Sequence, residues 1–118
     1  MTVRHFVTLS TAVLALFGAG AAMARPSAPR ATTVKVTAKE FSFALPTRSV
    51  EHGRVTFVID NTGHTSHDFA IAGHTSKTVA PGKTTRLTVT LNKPGRYAYS
   101  CTVDSHAKLG MKGVLRVK

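Results

Sequence analysis

The 118-residue chain has no tryptophan, a single cysteine, and five acidic residues against sixteen lysines and arginines. One thiol cannot close an internal disulfide, so the core has to hold the fold. Cys101 is then a buried bystander, an intermolecular crosslink, a nucleophile or a metal ligand. The shortage of acid leaves a formal charge of +11, a field that steers a protein toward acidic proteins, anionic membrane surfaces or nucleic acid. Nucleic acid is the weakest of these. The cations are scattered among strand-like stretches, and no aromatic-interleaved basic motif of the RNA-binding type is present. Helical stripes, internal repeats and low-complexity tracts are also missing.

Long apolar runs are absent except at the start, "MTVRHFVTLSTAVLALFGAGAAMA". Arg4 and His5 make a short basic opening, Phe6 to Phe17 is predominantly apolar, and Ala22-Met23-Ala24 matches a small-x-small cleavage site. The run is short for a bilayer span and lacks a basic stop-transfer flank. Residues 1–24 therefore read as a cleaved secretory signal peptide, which predicts a periplasmic or otherwise exported protein with no stable membrane span afterwards. Residues 25–31, opening "RPSAPR", read as a flexible leader, and residues 32–118 as the folded domain. That length suffices for one compact core and is too short for two. A monomer is expected.

Within the domain, apolar residues recur at every second position: Val34 and Val36, Phe41 and Phe43, Val55, Phe57 and Ile59, then Leu87, Val89 and Leu91. This is the period of half-buried strands, and the valine and threonine content agrees. Turn signals separate the runs at "EHG", "DNTG", "PGK" and "KPG". Proline followed by glycine suits a type II turn. The strands read as Thr32–Ala38, Phe41–Ala44, Arg54–Asp60, Asp68–Ala72, Thr84–Leu91, Arg96–Cys101 and Val114–Lys118. The predicted class is all-β, a Greek-key sandwich or barrel of about seven or eight strands. Alternation in "RYAYSC" puts Tyr97, Tyr99 and Cys101 on the inward face.

The segment "CTVDSHAKLGMKG" then draws attention, because it spaces a thiol, an imidazole and a thioether as C-x4-H-x4-M, at Cys101, His106 and Met111. Two histidines, one cysteine and a distant methionine are what a blue copper site needs. His67, which opens "HDFAI", is the best second imidazole, with His64 as a rival. His52 and His74 read as surface residues. Taken singly, Met111 would be core packing and Cys101 an inert thiol.

These residues carry a resemblance. "GRYAYSCTVDSHAKLGMKGVLRV", with "NTGHTSHDFAI" upstream, is similar to the copper-binding region of the cupredoxins, the plastocyanin and azurin family of type 1 copper proteins. The likeness spans nearly the whole domain. Its cysteine-to-histidine spacing is longer than in plastocyanin and resembles that of rusticyanin and auracyanin. The resemblance implies one copper ion cycling between Cu(II) and Cu(I), with His67 and His106 as imidazole ligands, Cys101 as thiolate and Met111 as the long axial ligand. It also implies a surface-facing edge of His106 as the electron port, beside Ala107, Leu109 and Gly110. Asp68 departs from the asparagine that many members carry after the first histidine. It can accept the same backbone hydrogen bond, and if ionised it adds negative charge that stabilises Cu(II). Strand alternation alone would instead turn it to solvent.

The expected function is one-electron transfer in transient complexes with acidic redox proteins. The alternative is a periplasmic copper carrier or scavenger, although such carriers often use methionine clusters, and Met111 is the only methionine beyond the signal. An enzyme is not expected. Cys101 and His106 could pair as nucleophile and base, but no orienting residue is evident.

Overall fold

The computed structural model describes residues 31–118. The stretches expected to be a signal peptide and a leader lie outside the described residues, apart from Ala31, which opens the first strand. Nine strands follow: β1 Ala31–Lys39, β2 Ser42–Ala44, β3 Ser49–Val50, β4 Gly53–Asn61, β5 Ala70–Ile71, β6 His74–Thr75, β7 Thr84–Leu91, β8 Gly95–Ser100 and β9 Lys112–Val117. They form a four-stranded sheet in the order β2-β1-β4-β7 and a five-stranded sheet in the order β3-β9-β8-β5-β6. Both sheets are mixed, with β1 parallel to β4 and β3 parallel to β9. The all-β class holds.

The strand count exceeds the expected seven or eight because β3 and β6 have two residues each, too few for alternation to register. The strand expected over 68–72 shrinks to Ala70–Ile71. His67, Asp68 and Phe69 are buried in succession, which a half-buried strand with one face in solvent does not allow.

Alternation does place the core. β1 contributes Val34, Val36 and Ala38, β4 contributes Val55, Phe57 and Ile59, and β7 contributes Val89 and Leu91. From the other sheet come Ile71, Leu115 and Val117, and all of these belong to one buried cluster. Hydrophobic burial is thus shared between two facing sheets, as a sandwich requires. Toward one end the packing becomes aromatic. Phe69 meets Phe57 at 4.9 Å and Phe43 and Tyr99 at 5.3 Å between ring centroids. Gly113 leaves room for this arrangement, because a side chain there would run into the Tyr99 ring.

The turns follow local chemistry. At Pro81-Gly82, Gly82 has φ +75° and the Lys83 N–H donates to the Ala80 carbonyl at 3.0 Å, as in the expected type II turn. The Tyr97 hydroxyl donates to the Lys93 carbonyl at 2.7 Å and pins the entry to β8.

Asn61 ends β4 and organises the loop that follows. Fully buried, it donates from Nδ2 to the carbonyls of Thr65 (2.8 Å) and Val79 (2.9 Å), and its Oδ1 accepts from the Gly63 N–H at 2.9 Å. Removing it would leave buried partners unsatisfied. Asn61→Ala should therefore lower the unfolding free energy by about 2 kcal/mol in urea titration. A loss under about 0.5 kcal/mol would show that the 61–67 loop does not depend on this side chain.

Candidate metal centre

Two loops at one end of the sandwich carry the candidate ligands, and sheet register brings them together. β5 pairs with β8 through Ala70–Ser100 and Ile71–Tyr99. Continuing that antiparallel register sets Asp68 against Thr102. The Asp68 side chain takes up this position, accepting from the Thr102 N–H at 2.6 Å and from the Thr102 hydroxyl. Asp68 is thus turned inward, with 5% of its surface exposed, and ties one ligand segment to the other.

β8 and β9 end their ladder at Ser100–Lys112. One step further, the Cys101 N–H donates to the Met111 carbonyl at 3.0 Å and closes the base of the loop. Inside it, a 3-10 turn over Ala107–Leu109 and Gly110 at φ +108° reverse the chain, so that the Met111 N–H bonds the His106 carbonyl at 3.1 Å. The C-x4-H-x4-M spacing is therefore a short loop with two ligand candidates at its base and one near its apex. His67 is anchored differently, by paired backbone bonds with Val79 of 3.1 and 2.7 Å.

The outcome is a buried cluster. Candidate donor atoms of His67, Cys101 and His106 all lie within 4.8 Å of one another. His67 Nδ1 is 3.2 Å from His106 Nδ1, and the Cys101 Sγ is 3.6 Å from that same His106 nitrogen. Two donors each about 2.0–2.3 Å from a shared ion are separated by at most about 4.6 Å, so small side-chain adjustments suffice for joint coordination. Met111 is fully buried, and its backbone is hydrogen-bonded to both Cys101 and His106. His64 is exposed and contributes only its backbone N–H to the surroundings, which separates it from His67. His52 and His74 are also exposed, as expected.

The two residues of the β1–β2 turn touch both imidazoles, a role that sequence reasoning missed. Glu40 Oε1 lies 3.4 Å from His67 Nε2, and the Phe41 ring packs on His106 at 4.9 Å between centroids. The peptide joining Glu40 to Phe41 is cis. No local pattern marks this pair, because Glu40 stands 27 positions before His67 in the chain. Phe41 was expected to begin a strand.

Electrostatics vary sharply within this small space. The Thr65 N–H, assisted by that of His64, brings the Glu40 carboxyl down to about 2 despite an opposing desolvation. Burial holds His67 below the ordinary imidazole range, opposed by the Glu40 carboxylate. Burial also raises the Cys101 thiol. His67 is therefore neutral and ready to bind at pH 7, whereas Cys101 must lose a proton. Two imidazole nitrogens and one thiol sulfur, with a buried methionine hydrogen-bonded through its backbone to Cys101 and His106, form a soft, mixed donor set that fits a single copper ion.

Comparison with known proteins agrees with this geometry. Residues 8–117 match the family described as Cupredoxin-like domain. No protein of curated function matches the chain. Among solved structures, the chain is similar to dithionite-reduced auracyanin from the photosynthetic bacterium Roseiflexus castenholzii, at 21% identity and a TM-score of 0.64, covering 74% of this chain and 97% of that one. Auracyanin B is similar at 20% identity and a TM-score of 0.64, with 80% and 93% covered. Auracyanin A, a blue copper protein of Chloroflexus aurantiacus, shows 19% identity and a TM-score of 0.62, with 75% and 100% covered. These likenesses establish a shared fold, and the family match covers most of the chain. The protein belongs to the cupredoxin-like domain family.

Proposed function

We propose that the protein is a small exported type 1 copper protein that carries single electrons, with His67, Cys101 and His106 as equatorial ligands and Met111 as the axial one. The observation that carries this reading is the buried convergence of two imidazoles and the only thiol at one end of the sandwich. A copper ion held there supplies one-electron chemistry by alternating between Cu(II) and Cu(I). The chain's own residues supply the rest. Backbone bonds at Val79 and Met111 and the Asp68–Thr102 tie hold the donors against separate parts of the scaffold, which favours a site that changes little between oxidation states.

The surroundings suit brief contact with a partner. His106 is 8% exposed, and Leu109, three residues on, is 59% exposed. A small apolar patch beside a ligand allows docking without lasting attachment. On the outer face of β8 and β9, Lys112 is exposed beside the candidate ligand loop, and at the far end of the same ladder Arg96 stands directly opposite Arg116, with Lys118 also exposed. Like charges face each other there, which favours an acidic redox partner. An enzymatic role fits less well. Burial raises the Cys101 thiol, the reverse of what a nucleophile needs. Among the described residues, no helix is long and apolar enough to cross a membrane.

Three outcomes test the reading. One equivalent of Cu(II) should give an intense blue absorption that is absent from Cys101→Ser, and voltammetry should show reversible cycling. A colourless protein would remove the copper-thiolate centre, and a blue but redox-silent one would make it a copper carrier. Copper must displace the Cys101 proton, so apparent Cu(II) affinity should rise about tenfold per pH unit between pH 6 and 8 in chelator competition. A flat profile would mean that no thiol proton is lost. Finally, electron exchange with an acidic redox protein should slow as salt rises, because screening shortens the reach of the basic face. Rates indifferent to ionic strength would eliminate electrostatic steering.

A further inference from the structure

We propose that Glu40 is a positioning residue for the metal centre: its carboxylate orients the His67 ring from behind and sets a fixed negative charge that favours Cu(II) over Cu(I). The proposal rests on the copper reading above. Its basis is the way residues 63–65 are shaped around this one side chain.

Glu40 Oε1 accepts from the Thr65 N–H at 2.7 Å, from the His64 N–H at 2.5 Å and from the Thr65 hydroxyl at 3.1 Å. Gly63 completes the receptacle, because a Cβ at that position would fall on the carboxylate. A glutamate in a turn would ordinarily wave in solvent. This one is fixed by two backbone amides and a hydroxyl, and its side chain is 26% exposed.

The same oxygen lies 3.4 Å from His67 Nε2, and the Thr65 hydroxyl is also 3.4 Å from that nitrogen. The other ring nitrogen, Nδ1, faces His106 at 3.2 Å within the ligand cluster. A neutral imidazole has one N–H. When Nδ1 gives its lone pair to an ion, the proton must sit on Nε2, pointing toward Glu40 and Thr65. A carboxylate behind a metal-bound histidine fixes the ring and strengthens it as a donor. Its negative charge also stabilises the more positive oxidation state.

Asp68 is a separate device, since both its oxygens are engaged by Thr102. Glu40 is the carboxylate that meets a ligand ring.

The test compares Glu40→Gln, Glu40→Asp and the wild-type protein, each loaded with one equivalent of Cu(II). Glutamine keeps an acceptor oxygen for the 64–65 amides but removes the charge. The expected result is an unchanged blue band with the preference for Cu(II) over Cu(I) reduced about tenfold, read as a rise of about 59 mV in reduction potential. Glu40→Asp, which retains the charge, should fall nearer the wild-type potential and serves as the decisive variant if glutamine does not fold. Glu51→Gln removes an exposed charge elsewhere and should leave the potential unmoved. An intact blue band with an unshifted potential in Glu40→Gln would overturn the proposal while leaving the copper reading standing. An equal rise in Glu40→Gln and Glu51→Gln would overturn it too, by reducing the effect to net charge. Absence of a blue band in the wild type would overturn both.

Discussion

The Asp68 carboxylate, accepting two hydrogen bonds from Thr102, joins the two segments that bear the candidate ligands. Without a fixed relation between His67 and Cys101, the loop carrying His106 and Met111 would have nothing to close against. The tie works because β5 and β8 are already in register below it. It extends a backbone ladder by one side-chain step, with a carboxylate accepting both bonds, and hydrogen bonds to a charged acceptor are strong.

Beneath this junction, packing gives the site its stiffness. Phe69 follows His67 by two residues, and Tyr99 precedes Cys101 by two. Their rings meet at 5.3 Å, with Phe57 and Phe43 on either side. The chain segments bearing His67 and Cys101 are thus rooted in the same aromatic cluster. Close-packed interiors resist small displacements, so the donors inherit the rigidity of the core. The β1–β2 turn adds a brace from the opposite sheet through Glu40 on His67 and Phe41 on His106. In this way both halves of the sandwich act on one small volume.

Much of this was legible in the chain. Period-two alternation located the long strands, with β7 matching its expected limits of Thr84 and Leu91. The Cys101, His106 and Met111 spacing marked a candidate ligand loop, and the strand-like run after His67 made it the candidate second imidazole, which the structure brings beside Cys101 and His106. Alternation failed where burial was not two-sided. It would have sent Asp68 to solvent, whereas the chain at 67–69 runs inside the protein and buries every residue. Asn61 read as a turn residue, and nothing in "DNTG" indicated that its amide would hold three backbone groups.

Donor types, their order and the local periods that make strands follow from the amino acids alone, because these depend on residue chemistry and on spacing over a few positions. The surplus of positive charge follows in the same way. Folding in three dimensions settles which histidine lies beside the thiol, where Asp68 turns and what stands behind His67. Those outcomes depend on contacts between residues far apart in the chain, set by how two sheets pair and pack. Glu40 illustrates the difference. Its chemistry is plain from one letter, but its place beside an imidazole exists only once β1, β2 and the 63–65 loop are folded against each other.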